Sequence, residues 1–332
     1  MTLADPPRLP VTILTGFLGS GKTTLLASLL RRPSMERTAV LINEFGEVPL
    51  DQALLGDATE HVVVLAGGCL CCITGRDVTA MLLDLWERHQ VTPFERVVIE
   101  TSGLADPGPI LALFAHEELA LRFRLEGVVT VVDGLQGERE LSRQKTCVRQ
   151  VALADRLLLT KTDISSPHAV SRLRDRLAGI NPWAPLETVV RRKVEPEDFF
   201  PSPETSATEF RVAPSLEHSG HEATVGSFCL TFAEPLSWNR LSQALTRLLE
   251  HSGDHLLRIK GILNLDASES PMALHGGLGF LHPLEPLPAW PDGSRESRIV
   301  FIGEGLHKDQ MQDQLMLAAL AGHADLSSHP NG

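Results

Sequence analysis

The sequence feature that most constrains the fold is a glycine-rich loop set between a predicted strand and a predicted helix. Residues 16–23 read GFLGSGKT and match the pattern G-x-x-x-x-G-K-[ST]. A β-branched run, VTILT, precedes the loop, and a leucine-rich stretch that begins at Lys22 follows it. In this setting the glycines let backbone N–H groups turn toward phosphate oxygens, and the helix N-terminus adds partial positive charge. The context favours a phosphate-binding loop over an ordinary glycine-rich turn.

Two side chains of this loop have specific predicted roles. The Lys22 ammonium reaches the β- and γ-phosphates of a nucleotide, and the Thr23 hydroxyl ligates Mg²⁺. The residues predicted to bind the nucleotide phosphates are Gly16, Gly19, Ser20, Gly21, Lys22, Thr23 and Thr24.

The pattern around the loop predicts an α/β domain. From residue 11 to about residue 190, short β-branched runs alternate with longer amphipathic stretches, which is typical of βαβ units and a mostly parallel sheet. A stretch rich in Pro, Glu, Ser and Thr follows, and the strand and helix patterns beyond it predict a smaller α+β domain. The predicted organisation is a P-loop NTPase domain over residues 1–190, a linker or exposed loop over 191–225, an α+β domain over 226–310, and a helix end with a flexible tail over 311–332.

Two later motifs follow predicted apolar strands. The first of them is predicted to contact Mg²⁺ and the γ-phosphate. Glu100 directly follows the apolar run VVI, and Gly103 lies three residues further along the chain. The carboxylate can hold Mg²⁺ directly or through water, and the Gly103 N–H can contact the γ-phosphate. The segment after Gly103 is therefore predicted to switch with the nucleotide state. Lys22, Thr23, Glu100 and Gly103 are the predicted catalytic residues.

The second motif favours guanine over adenine. After the run LLLT, Lys161 and Asp163 have the spacing of the guanine-reading [NT]-K-x-D element, with Thr160 in the place of the commoner Asn. The Asp163 carboxylate would accept two hydrogen bonds that adenine cannot donate, and the Lys161 stem would pack over the base. Because an unpaired polar group in a buried site is costly, this pair predicts GTP rather than ATP.

Three of the five cysteines lie within four residues, at Cys69, Cys71 and Cys72. They follow a predicted strand and precede a predicted helix, whose N-terminus would lower the pKa values of nearby thiols. Thiolates are natural ligands of Zn²⁺ and similar divalent ions. These cysteines supply at most three sulfurs, so a further position would go to water, a carboxylate or a histidine. Buried apolar cysteines or a redox switch are the alternative interpretations.

Other candidate metal ligands lie near this cluster in the sequence. Glu44, Glu47 and Asp51 fall where a first switch belongs, within reach of Mg²⁺ or of the thiolates, and spacing does not decide between the two ions. An acidic exposed turn is the alternative. His116 is a candidate additional ligand of the thiolate site, and a solvated helical histidine is the alternative there.

The charge and composition of the chain disfavour some classes of binding partner and favour one cellular compartment. Thirty Lys and Arg against 42 Asp and Glu give a formal net charge of −12, which disfavours nucleic acid. The apolar runs fall short of the roughly 20 residues that span a bilayer, so no membrane partner is predicted. The N-terminal stretch lacks the features of an export signal, and an odd number of cysteines suits a reducing compartment. A cytoplasmic location is expected.

Taken together, the motifs resemble the CobW-like family of P-loop GTPases. The resemblance covers about residues 10–305 and rests on GFLGSGKTTLL, NEFGEV, GGCLCC, ETSGLADPGPI, VVTVVD, ADRLLLTKTD, LLRIKGILNL and SRIVFIG. It implies a GTPase whose Cys69, Cys71 and Cys72 bind Zn²⁺, Co²⁺ or a similar ion, with GTP and metal binding coupled and the metal delivered to a client protein. It also implies a CobW-type C-terminal domain.

The sequence therefore predicts a metallochaperone that binds GTP and Mg²⁺, hydrolyses GTP slowly, and delivers Zn²⁺ or a similar ion to a client metalloprotein. Slow turnover is expected because the sequence offers no clear arginine finger, so a client or a homodimer partner would supply the missing group. A zinc-responsive GTP-binding regulatory module is the first alternative, and a P-loop small-molecule kinase is the second.

Overall fold

The computed structural model of the chain describes residues 8–43, 64–67, 75–190, 194–200, 225–290 and 293–320. The chain divides into two compact units, Met1–Ser202 and Pro203–Gly332. Neither unit contains, among these residues, a helix that is both long and apolar enough to cross a membrane.

The first unit is built on a parallel sheet that has seven strands within the described ranges. The strands are β1 (Leu9–Thr15), β2 (Thr38–Asn43), β3 (Val64–Gly67), β4 (Arg96–Glu100), β5 (Phe123–Asp133), β6 (Arg156–Thr160) and β7 (Leu186–Thr188). Their order across the sheet is β3-β2-β4-β1-β5-β6-β7, and each neighbouring pair is parallel. The predicted α/β class with a mostly parallel sheet is confirmed.

Helices pack on both faces of this sheet. They are α1 (Lys22–Leu30), α2 (Gly75–Val91), α3 (Gly108–Leu113), α4 (Glu117–Ala120), α5 (Gly137–Arg143), α6 (Lys145–Ala152), α7 (Pro167–Ile180) and α8 (Pro196–Phe199). Successive strand residues point to opposite faces. Ile13 accordingly packs in one buried apolar cluster with residues of α2 and α3, while Leu14 packs in another with residues of α1. Burial on both faces explains why these strands read as continuous apolar runs.

The second unit consists of an antiparallel sheet and two helices, which share one buried core. Its elements are β8 (Val225–Phe232), α9 (Trp238–Ser252), β9 (Leu256–Leu263), β10 (Met272–Gly277), β11 (Phe280–Leu281), β12 (Glu285–Pro286), β13 (Ser297–Glu304) and α10 (Lys308–Leu320). The strand order is β11-β10-β9-β13-β8, with β12 paired to β10. Leu245 of α9 and Leu315 of α10 share one buried cluster with Phe301 of β13. The prediction of a smaller α+β domain after the parallel sheet is confirmed.

One segment differs from the predicted linker. Residues 194–200 include helix α8, and Phe199 is fully buried in the cluster that also holds Leu29 and Met35. The segment reads as linker because it is rich in Pro, Glu and Asp, whereas its two phenylalanines become core residues only through contacts distant in sequence. The exact domain limits stay a prediction.

Candidate functional site

The phosphate loop, Glu100 and Lys161 meet at the carboxyl-terminal edge of the parallel sheet. β1 ends at Thr15 and leads into the loop, and its neighbour β4 ends at Glu100. On the other side of β1, β5 ends at Asp133 and β6 ends at Thr160. Ligands of open parallel sheets bind at this edge, so the fold brings the sequence-predicted nucleotide residues to the expected place.

The phosphate loop has the backbone that its glycines predict. A Cβ atom on Gly16 would lie 2.2 Å from the carbonyl oxygen of Val131, so only glycine fits there. Gly19 and Gly21 have φ angles of 74° and 98°, in the left-handed region that glycine adopts without strain. Apart from its chain neighbours, no described atom lies within 4 Å of the Cβ position of either glycine. At these two positions the backbone conformation, and not a lack of space, therefore favours glycine.

Polar side chains of the loop are held where a phosphate would bind. Lys22 Nζ donates to the carbonyl oxygens of Gly16 at 2.8 Å and Phe17 at 3.2 Å, and the side chain is largely buried. Ser20 is fully buried, and its Oγ has no hydrogen-bond partner among the described residues. A buried hydroxyl normally has a partner. A phosphate oxygen in the loop fits this requirement.

Thr23 and Glu100 form an oxygen pair from two different elements. Thr23 Oγ1, in the first turn of α1, donates to Glu100 Oε1 at 2.6 Å, and Glu100 is 3% exposed. The parallel register places Leu14 opposite Glu100, which brings the carboxylate beside the loop. A hydroxyl and a carboxylate are oxygen donors of the kind that Mg²⁺ prefers. The pair therefore fits the predicted magnesium site.

The segment after β4 packs directly on the phosphate loop. A Cβ atom on Gly103 would lie 2.6 Å from the backbone nitrogen of Leu18, so a side chain at this position would collide with the loop. Thr101 fixes the same segment to β1, because its Oγ1 donates to Thr15 Oγ1 at 2.8 Å and its N–H donates to the Leu14 carbonyl at 2.9 Å. Gly103 is thus placed beside the loop, as a residue that senses the γ-phosphate must be.

Lys161 connects the end of β6 to both the loop and β5. Its backbone is left-handed, with φ of 56°. Its Nζ donates to the Gly19 carbonyl at 2.6 Å and to Asp133 Oδ2 at 2.6 Å. Asp133 is buried, and its Oδ1 accepts the N–H groups of Leu135 and Gln136 at the start of α5. The lysine stem is therefore held in one place across the end of the sheet.

Thr160 and Asp163 complete this side of the site. Thr160 Oγ1 donates to the Ser20 carbonyl at 2.7 Å and to the Val132 carbonyl at 3.2 Å. The hydroxyl at the position where Asn is commoner thus anchors β6 to the phosphate loop. Asp163 lies exposed two residues after Lys161, and its role in binding guanine stays a prediction.

Two site residues were missed by the sequence analysis. Asp133 ends the strand VVTVVD as Glu100 ends VVIE, and that shared signal could have identified it. Glu140 lies on α5, and burial raises its pKa; the Asp133 carboxylate adds to the rise, while the positive charges of Lys161 and Lys22 oppose it. Glu140 therefore lies within the electrostatic field of the loop. Only the position of α5 reveals this.

The predicted thiolate site can be located only through the strand that leads to it. Cys69, Cys71, Cys72 and Glu47 lie outside the described residues, as do Glu44 and Asp51. β3 ends at Gly67, which is opposite Asn43 at the end of β2. The chain thus enters the cysteine segment at the same sheet edge as the phosphate loop. Among the residues that are described, no cluster of three His, Cys, Asp or Glu side chains is placed to hold a metal.

His116 lies elsewhere in the first unit. It immediately precedes α4 and is exposed. Phe123, seven residues later, begins β5 and pairs with Leu9, the first residue of β1, at the amino-terminal edge of the sheet. Glu100 ends β4 at the opposite, carboxyl-terminal edge of the sheet, and the role of His116 as a metal ligand stays a prediction.

Comparison with known proteins gives consistent matches over both units. The family model described as CobW/HypB/UreG, nucleotide-binding domain, matches residues 10–187, and the one described as Cobalamin synthesis protein cobW C-terminal domain matches residues 225–319. The chain is 35% identical to the zinc chaperone YjiA of Escherichia coli, over 94% of this chain and 98% of that protein. It is 31% identical to the zinc-regulated GTPase metalloprotein activator 1 of Schizosaccharomyces pombe, over 92% and 84%.

A solved structure extends these matches to the fold. The crystal structure of Zn(II)-bound YjiA GTPase from E. coli aligns with a TM-score of 0.68 and 28% sequence identity, covering 94% of this chain and 99% of that chain.

The raised pKa of Glu140 predicts a pH-dependent gain in stability for Glu140→Gln. Because the folded state holds the Glu140 proton more tightly than the unfolded chain does, the stability of the parent falls as pH rises through the two pKa values. Glutamine has no proton to lose. Urea unfolding should therefore show a higher free energy of unfolding for the variant at pH 7, with the gain shrinking as the pH falls toward 4.

Asp175→Asn is the matched control, because it removes one negative charge from an exposed position on α7. It should change the free energy of unfolding by less than about 0.5 kcal/mol. A gain for Glu140→Gln that is equally large at both pH values would contradict the assignment.

Proposed function

The chain belongs to the CobW/HypB/UreG family and is a P-loop GTPase, and we propose that it binds Zn²⁺ at Cys69, Cys71 and Cys72 and delivers the ion to a client metalloprotein. The observation that carries the proposal is the pairing of Asn43 with Gly67, which brings the start of the cysteine segment to the sheet edge that bears the phosphate loop. The zinc chaperone and zinc-regulated activator among its relatives support the choice of metal.

In this proposal the residues of the nucleotide site have separate roles. The loop N–H groups and Lys22 bind the phosphates, while Lys161 and Asp163 read the guanine. Thr23 and Glu100 would hold Mg²⁺, which neutralises charge on the β- and γ-phosphates when bound. Burial of Glu100 keeps its carboxylate away from competing solvent.

Hydrolysis also requires an oriented water and stabilisation of the charge that develops on the γ-phosphate. In this proposal the Gly103 N–H is the backbone donor to that phosphate, which the close packing of Gly103 on Leu18 of the loop supports. We expect slow intrinsic turnover that accelerates when a client, or a second copy of this chain, adds a cationic group. The reducing cytoplasm is the expected compartment, because three neighbouring cysteines stay thiols there.

GTP and zinc are coupled in this proposal through the strands between their sites. β2 and β4 separate β3, which leads to the cysteines, from β1, which leads to the phosphate loop. A γ-phosphate that reorganises the segments after β2 and β4 would change the metal site. Linkage then requires the metal to change GTP affinity by the same factor, typically about 5- to 150-fold.

Guanine recognition is tested by Asp163→Ala. Removing the carboxylate deletes two hydrogen bonds to the base. Because hydrogen bonds to a charged group are stronger than neutral ones, their loss should lower the affinity for GTP and GDP at least ten-fold. Fluorescent-nucleotide titrations measure the change, and Asp175→Ala, at an exposed position on α7, is the control. A parent protein that binds ATP as tightly as GTP would instead support a small-molecule kinase.

The metal site is tested by the double substitution of Cys71 and Cys72 by Ala. Zinc uptake, measured by metal analysis after gel filtration, should drop from one ion per chain to none, while GTP binding is retained. Cys147→Ala is the control: burial, with a further contribution from Glu140, raises the pKa of Cys147 to about 12, so this thiol stays protonated and uncoordinated at pH 7. Unchanged uptake by the double variant would place the metal elsewhere.

Delivery is tested by releasing the metal during a single turnover. Zinc-loaded protein is mixed with GTP or with a non-hydrolysable analogue in the presence of a fluorescent zinc chelator. Transfer to the chelator should be faster with GTP than with the analogue, because only GTP can lose the γ-phosphate that the proposal couples to the metal site. A metal that stays bound through hydrolysis would favour the zinc-responsive regulatory module over the metallochaperone.

A further inference from the structure

The loop after β4 is held from one side by a single buried glutamine on α6. Gln150 is 1% exposed, and its Nε2 donates to the carbonyl oxygen of Ala105 at 3.0 Å and to that of Gly103 at 3.4 Å. A primary amide carries two donor protons. Both acceptors that the described residues offer to this amide, the Gly103 and Ala105 carbonyls, belong to the backbone of the same loop.

The same glutamine is anchored to the sheet through its backbone. The Thr130 hydroxyl of β5 donates to the Gln150 carbonyl oxygen at 2.7 Å, and both residues are buried. The neighbouring Arg149 adds a second contact to the loop, because its Nε donates to Asp106 Oδ2 at 2.7 Å. Helix α6 therefore holds the loop at three successive points, Gly103, Ala105 and Asp106.

Gly103 has little freedom between these contacts and the phosphate loop. On one side a Cβ atom would reach to 2.6 Å from the Leu18 nitrogen, and on the other side its carbonyl oxygen is held by Gln150. The position of the Gly103 backbone is thus set jointly by the phosphate loop and by α6.

We propose that Gln150 is a positioning residue that holds the backbone of Gly103 where its N–H meets the γ-phosphate of GTP. The inference rests on the proposed function, in which Gly103 contacts that phosphate. GDP lacks the γ-phosphate, so the contribution of Gln150 falls on GTP binding and hydrolysis and not on GDP binding. A preorganised donor contributes most where charge develops in the transition state.

The test compares Gln150→Met with Thr130→Val. Methionine has a similar length and removes both donors without adding charge, whereas Thr130→Val removes the other buried hydrogen bond of Gln150 and leaves its side chain in place. For Gln150→Met we expect GDP affinity within two-fold of the parent, affinity for a non-hydrolysable GTP analogue lowered at least five-fold, and kcat lowered at least ten-fold. Thr130→Val should lower Tm and leave the ratio of the two affinities unchanged.

A purely structural role for Gln150 would give a different result. Both variants would then lower Tm, and both would keep the parental ratio of GTP-analogue to GDP affinity, which would overturn the proposal. Should Gln150→Met fail to fold, Gln150→Leu, which is also uncharged and also lacks both donors, carries the same expectation. Failure of the proposed function is separate, because it would appear in the parent protein as the absence of GTP preference or hydrolysis.

Discussion

The parallel pairing of β1 with β4 is the contact on which the site depends. It places Glu100, the last residue of β4, opposite Leu14, which is one residue before the end of β1. The carboxylate therefore accepts a hydrogen bond from the Thr23 hydroxyl at the start of α1. The same pairing fixes Thr101 to Thr15 and brings Gly103 against the phosphate loop. The residues assigned to Mg²⁺ and to the γ-phosphate are therefore positioned by backbone hydrogen bonds and close packing, not by flexible side chains alone.

At the ends of β5 and β6, an ion pair positions the side chain of Lys161. Asp133 is buried, yet it accepts from Lys161 and from two backbone N–H groups, so its ionised form is well compensated. Lys161 in turn bridges this acid to the carbonyl of Gly19. A buried acid, a lysine and the phosphate loop thus form one hydrogen-bond network, with Lys161 as the group that joins the other two.

Much of this arrangement could be predicted from the sequence because the signals are local. A strand pattern followed by a polar residue places Glu100 and Lys161 at the sheet edge, and glycine spacing defines the phosphate loop. The contributions of Glu140 and Gln150 could not be predicted, since each depends on which side of a short helix faces the loop. The burial of Phe199 could not be predicted for a related reason, because Phe199 shares a buried cluster with residues of α1 that are distant in sequence.

The strand order also sets the direction in which a nucleotide would lie across the edge of the sheet. β6, which precedes the residues proposed to read the base, lies on one side of β1, whereas β4, β2 and β3 follow one another on the opposite side. A nucleotide laid across these strand ends would have its guanine far from β3 and its terminal phosphate toward it. Hydrolysis would then shorten the ligand at the end nearer β3, so that GTP and GDP would differ on the side of the sheet where β3 leads toward the cysteines of the proposed metal site.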